Sequence, residues 1–173
     1  MVIKKWAKTH GINEAKDGTL SSYALTLMTI HFLQCGCKPP VLPSLQQMFP
    51  DFFSDDGNVQ DLMKLDVQKF FQERNISRSQ NVESLGELLL GFFQYFSNTF
   101  SWSSSVISVR LGRVYSTEFG VLPKNKYIYI EEPFDSNNVA KTVYNSENFN
   151  KIKMKISLAA NKLRVSPSLK SII

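Results

Sequence analysis

The sequence predicts a mainly helical α+β domain, a helical bundle that carries one small β element. Three observations predict it. Residues 20–34 and 84–100 are apolar round most of a helical circumference, which is the pattern of buried bundle helices. Ser146–Leu163 repeats apolar residues at helical spacing. Ser105–Arg110 and Tyr127–Glu131 alternate apolar and polar residues, as half-buried strands do. A chain of 173 residues with 43% apolar content can bury one core and at most a second small lobe. Charged residues make up only 20% and there are 13 Phe, so either the core is Phe-rich or an apolar flank is meant to be covered by a neighbouring domain.

The first element is a helix over Met1–His10. Val2, Ile3, Trp6 and Ala7 are spaced for one face, and Gly11 is placed to end the helix in a left-handed cap. Lys4 and Lys8, four apart, lie within roughly 40° of each other round this helix and can converge on one anion. On spacing alone a solvated face is the ordinary reading of such a pair. Ile12–Gly18 is a polar loop, and Thr19 is the expected cap of a central helix running to about Gln34. Ser21, Ser22 and Tyr23 fall in its first turn, where unpaired N–H groups and the helix dipole favour a phosphate. The competing reading is a capping serine followed by a core tyrosine. His31, deep in this apolar helix, reads as a satisfied core histidine.

Lys38–Pro43 cannot be helical because of its three prolines, and Ser44–Phe49 is a short helix stopped by Pro50. Residues 50–82 read as a variable insertion. They comprise an acidic loop around Asp55-Asp56, a helix over Leu62–Glu73 and a polar stretch over 74–82 expected to be mobile. Ser84 and Glu87 have capping-box spacing at the head of the second bundle helix, expected to pack on helix 20–34 with Gly86 and Gly91 allowing close approach. Strand 105–110 is expected to pair with 127–131 across a loop over 112–125. Arg110 is expected to meet Glu131 or Glu132. Val139–Val143 and Ser146–Leu163 are expected helices, and 164–173 is a C-terminal tail offering Leu169 and Ile172 to a partner. The domain thus spans 1–163.

The net charge of +5 is uneven: +3 over residues 1–40, −4 over 41–140 and +6 over 141–173. Basic ends suit contact with a polyanion, or simply a solvated face. Lys153 and Lys155 on the last helix are candidates for RNA phosphates. Cys35 and Cys37 are too close for an unstrained disulfide, and with His31 alone nearby they do not form a zinc site. Reduced thiols point to a cytoplasmic or nuclear protein. No signal peptide and no membrane span are visible, and the helical pattern begins at once, without a leader.

Six stretches in order carry a family likeness: IKKWAKTHGIN, GTLSSYALTLM, PPVLPSLQ, SLGELLLGFFQYFSNTFSW, ISVR and YIYIEEPFDSNNVAKTV. Over roughly residues 1–160 the chain resembles the PAP-associated central domain of the poly(A)/poly(U) polymerase family of nucleotidyltransferases. The likeness is strongest to the cytoplasmic poly(A) branch of the germline-development type. The resemblance implies that Lys4 and Lys8 contact the triphosphate of ATP, that Ser22 is a phosphate contact and that Tyr23 stacks on the base. It implies that Glu132 and Asp135 face the base edge. A carboxylate only accepts hydrogen bonds and adenine's exocyclic amine donates them, which favours ATP. The alternative for Glu131, Glu132 and Asp135 is that they cap the following helix. Uridine-adding relatives carry a His just before the Asn-Val step, where this chain is one residue shorter and has Asn137. The resemblance also implies Mg²⁺ (or Mn²⁺) held by a separate palm domain with a Gly-Ser-x-Asp-x-Asp motif. No Asp-x-Asp occurs in this chain, so the palm domain is expected to be missing and the chain inactive alone. Implied partners are an RNA 3′ end, an RNA-binding protein and the palm itself. Two rivals stay open: a terminal uridylyltransferase domain, and a truncated, non-catalytic interaction module.

Overall fold

The computed structural model describes residues 2–50, 52–53, 63–116 and 127–173. The helices are α1 (Val2–Thr9), α2 (Ser22–His31), α3 (Leu45–Met48), α4 (Val67–Glu73), α5 (Leu85–Gln94) and α6 (Ser146–Val165), with strands β1 (Ser105–Ser108) and β2 (Arg113–Ser116) between the last two helices. Asp55-Asp56, the start of the helix expected from Leu62 and most of the loop after β2 lie outside the described residues.

α1 forms as its spacing predicts, burying Trp6 and Ala7 and leaving Lys4, Lys5 and Lys8 outside. Gly11 ends it with φ +62°. Trp6 then meets the edge of Phe93 at 4.6 Å between ring centroids, a favourable aromatic geometry. The loop that follows is less polar in behaviour than in composition, because Ile12 is fully buried. A 3₁₀ turn over Ala15–Asp17 closes at Gly18, whose φ is +77°.

Thr19 does not cap α2. Its hydroxyl donates to the Glu14 carbonyl at 2.8 Å and accepts from the Glu14 N–H at 2.9 Å, so it staples the loop. The cap is Ser21, which accepts from Ala24 N–H at 3.0 Å. α2 buries Ala24, Leu25, Leu27, Met28 and His31 and runs on as a π turn over Phe32–Gly36. The Pro segment returns across its end, where Val41 and Leu42 N–H both donate to the Leu33 carbonyl.

Ser84 and Glu87 form the reciprocal capping box at the start of α5. α5 does not pack chiefly on α2. Its main partner is α6, and it meets the extension of α2 through Phe32 against Phe92. Gly91 permits that approach, since a Cβ there would lie 3.0 Å from the Phe32 ring. Gly86 faces only the side chain of Ser84, and Leu85 is 87% exposed rather than buried. Phe92, Phe93, Phe96, Phe100 and Trp102 form one continuous run of ring contacts through the core. The 74–82 stretch is tied down: Ser79 and Asn81 side chains donate to the carbonyls of Pro40 and Pro39.

β1 is flanked on both sides. It pairs antiparallel with β2, Ile107 opposite Val114, a strand inside the stretch expected to be loop. On its other edge Ile107 donates to Tyr129 O and accepts from Glu131 N, both at 2.9 Å. The expected pairing with 127–131 therefore exists, as a parallel bridge. Val139–Val143 is a set of turns, not a helix. The Asn138 side chain accepts from Ile130 N–H and Ala140 N–H and donates to the Ile128 carbonyl, holding this segment to the sheet. Asn145, not Ser146, caps α6, and Leu158 on α6 is 45% exposed. The tail does not wait for a partner at Ile172, which is buried in this chain's own core, while Leu169 stays 47% exposed.

His31 is fully buried. Its Nδ1 lies 3.3 Å from the Ser108 carbonyl and its Nε2 3.2 Å from the Tyr95 hydroxyl. A carbonyl only accepts, so the neutral ring carries its proton on Nδ1. Burial lowers its pKa from 6.5 to about 4, partly opposed by the Ser108 carbonyl. The unfolded chain therefore binds this proton first. The resulting stability is fully present above pH 6.5 and is lost as pH falls from there through about 4. The expected loss is roughly 3 kcal/mol in denaturant titrations between those pH values, and His31→Gln should flatten that part of the profile. A second expectation concerns Gly18, where an added Cβ would sit in left-handed backbone and 2.5 Å from Asn148 Nδ2. Gly18→Ala should cost about 1–3 kcal/mol in the same measurement.

Candidate nucleotide site

The site begins where the capped end of α2 meets the acidic turn after the 127–131 segment. Tyr23, one residue into α2, is 45% exposed, so it is not a core tyrosine. Its hydroxyl donates to Glu132 Oε1 at 2.8 Å across 109 residues of sequence. Partial burial first, then the Glu132 hydrogen bond and the charges of Glu132 and Asp135, push the phenol up to about 12. Tyr23 is therefore a neutral donor with an accessible ring face, the kind of surface on which a base stacks.

Glu132 is engaged on both oxygens. Oε2 accepts from the N–H groups of Phe134 and Asp135 at 2.7 and 2.8 Å. Asp135 Oδ1 accepts from Asn137 N–H at 2.9 Å, and that bond holds the Asp135 carboxyl below its usual value. Ser136 between them takes φ +59°. The two carboxylates thus build the turn itself and cap no following helix. Gln46 braces it from α3, donating to the Pro133 carbonyl at 3.1 Å. Behind it, buried Glu131 accepts from the Ser108 hydroxyl and the Arg110 guanidinium.

Ser22 donates to Asn13 Oδ1 at 3.2 Å, and Asn13 Nδ2 donates to Leu20 O at 3.0 Å. Lys4 and Ser22 line the same groove, about 490 Å³, between α1, α2 and α5. Most of that groove is apolar, lined by residues such as Leu25, Leu85, Leu88 and Leu89. Its polar part is the Lys4–Ser22 rim, where an anion would be less costly than among the leucines. Lys8 is exposed one turn beyond Lys4. Among the described residues neither lysine forms an ion pair. Lys153 and Lys155 are not brought together. Lys153 Nζ lies 5.2 Å over the Phe149 ring, and Lys155 lines a small recess with Trp6 and His10. Among the described residues no cluster of three or more His, Cys, Asp or Glu side chains is set to hold a metal. With Glu132 and Asp135 engaged by N–H donors, the donor set does not fit a divalent cation.

Asn13, Gln46 and Ser108 are contributors that the sequence did not single out. A lone Asn in a loop and a Gln on a four-residue helix carry no periodic signal. Only the expected meeting of Arg110 with Glu131 or Glu132 pointed to this part of the site, and the structure selects Glu131.

Residues 84–138 match the family described as Cid1 family poly A polymerase. The chain is 44% identical over 175 residues to Poly(A) RNA polymerase GLD2-A of Xenopus laevis, covering 100% of this chain and 33% of that protein. A solved GLD-2/RNP-8 complex superposes with TM-score 0.73 at 35% identity, covering 99% of this chain and 51% of that one. The Cid1 poly(U) polymerase, as a histidine-to-asparagine mutant bound to MgATP, gives TM-score 0.74 at 30% identity over 99% of this chain and 52% of that one. The chain spans about a third of the length of the curated relative it matches. The acidic turn lies inside the matched segment, and the likeness in sequence and fold to these polymerases extends over the whole chain.

Proposed function

We propose that this chain is the nucleotide-holding, base-selecting central domain of a poly(A) RNA polymerase that adds AMP from ATP to RNA 3′ ends. The observation that carries the reading is the Tyr23–Glu132 hydrogen bond, which sets an exposed ring and a carboxylate-built turn side by side. Lys4 and Lys8 supply cations for the triphosphate and Ser22 a hydroxyl for a phosphate oxygen. Asp135, with one oxygen not taken by the Asn137 N–H, is the acceptor for adenine's exocyclic amine. The metal ions of phosphoryl transfer belong to the palm domain, since the donors here do not fit them. Lys153 is the better placed of the two candidate RNA contacts, being exposed beside an aromatic ring. The GLD-2 relative was solved in a complex with RNP-8, which supports a protein partner that delivers RNA. Free thiols at Cys35 and Cys37 fit a cytoplasmic setting.

Uridylyl transfer is the second reading, favoured by the solved poly(U) polymerase relative. Against it stands Asn137, in the neighbourhood where uridine-adding relatives carry a histidine. The poly(U) relative has been solved with MgATP as a histidine-to-asparagine mutant, and also with Mg 3′-dATP.

Three measurements test the proposal. In a polypeptide that joins this chain to its palm domain, Tyr23→Ala should raise the KM for ATP roughly tenfold to a hundredfold, the scale of one lost base-stacking contact. In the same protein ATP should outcompete UTP for RNA extension; a preference for UTP selects the second reading. The 173-residue chain alone, given ATP, Mg²⁺ and a short RNA, should extend nothing, and extension would place the chemistry within it.

A further inference from the structure

The acidic turn is held from behind by a buried charge. Glu131 is 3% exposed, and its carboxylate receives the Ser108 hydroxyl and the Arg110 guanidinium. Both donors come from β1 and its end, not from the turn. The Glu131 backbone is fixed as well: its N–H donates to Ile107 O, and it is bridged to Asn138. A carboxylate this deeply buried is costly unless it is paired and hydrogen-bonded, as Glu131 is here.

Glu131 and Glu132 are consecutive on extended backbone, so their side chains leave on opposite faces. One faces β1 and the other faces Tyr23. Fixing the first fixes the plane from which the second departs. Glu132 then spends one oxygen on Tyr23 and the other on two turn N–H groups. With its acceptors engaged in this way, Glu132 acts as the holder of the ring rather than as a reader of the base.

We infer that Glu131 is a positioning residue for nucleotide binding: clamped by Ser108 and Arg110, it fixes Glu132, and through Glu132 the ring of Tyr23. The inference rests on the reading of Tyr23 as the base platform. The test is a double-mutant cycle in the polypeptide that carries this chain together with its palm domain. Glu131→Gln removes the charge at near-constant shape. Tyr23→Phe removes the hydroxyl but keeps the ring. Each alone should raise the KM for ATP about tenfold while kcat stays within about twofold. The double variant should be no worse than the more affected single one, because both act through one bond. A merely structural ion pair would lower the melting temperature and the active fraction, hence kcat, and leave KM unchanged. An unchanged KM in Glu131→Gln, or effects that multiply in the double variant, overturns the inference. A wild-type protein with no ATP-dependent RNA extension overturns both this inference and the functional reading beneath it. Should Glu131→Gln fail to fold, Arg110→Lys, which keeps a cation but loses the planar fork, is read in the same cycle by the same criteria.

Discussion

Ile107 gives both of its backbone groups to one neighbour: its N–H to the Tyr129 carbonyl and its carbonyl to the Glu131 N–H. The arrangement of the site depends on that exchange. It holds the segment before the acidic turn against a strand that packs on α2. It also sets the alternation by which Glu131 enters the interior and Glu132 leaves it. A slip of one residue in this bridge would exchange the two carboxylates, burying the one that faces Tyr23.

The bundle was legible where periodicity was strong. α1, α5 and α6 stand where their apolar spacing put them, and Ser84 with Glu87 caps α5 as their separation indicated. The failures have local causes. Thr19 has the right chemistry for a cap, but its hydroxyl finds both backbone groups of Glu14 across the loop, which passes the capping role to Ser21. Val139–Val143 carries helical residues but is tethered by the Asn138 amide. β2 is four residues long and only Val114 and Tyr115 in it are strand formers, too short a run to stand out from a loop. Leu85 and Leu158 have core chemistry and face outward, because a helix covered on one side leaves some apolar positions beyond the contact stripe.

The candidate site was legible only in part, and the reason lies in its construction. Tyr23, Glu132 and Asp135 stand in stretches that could be recognised together, and the fold joins Tyr23 to Glu132. What the sequence did not display is how the carboxylates are occupied. Engagement of Glu132 by Phe134, Asp135 and Tyr23 is a matter of backbone direction, which residue identity does not encode. The Lys4–Ser22 proximity likewise depends on α1 lying beside α2, a tertiary fact.

The contact between the phenol and Glu132 closes a loop of 109 residues. Joining ends that far apart carries an ordering entropy that grows with the logarithm of loop length, and distant contacts are the slow ones in folding. The bond has few neighbours at the surface to repay that entropy by itself. Elements distant in sequence must therefore already be packed together for the bond to persist. A partly collapsed chain, however helical, would leave Tyr23 and Glu132 apart.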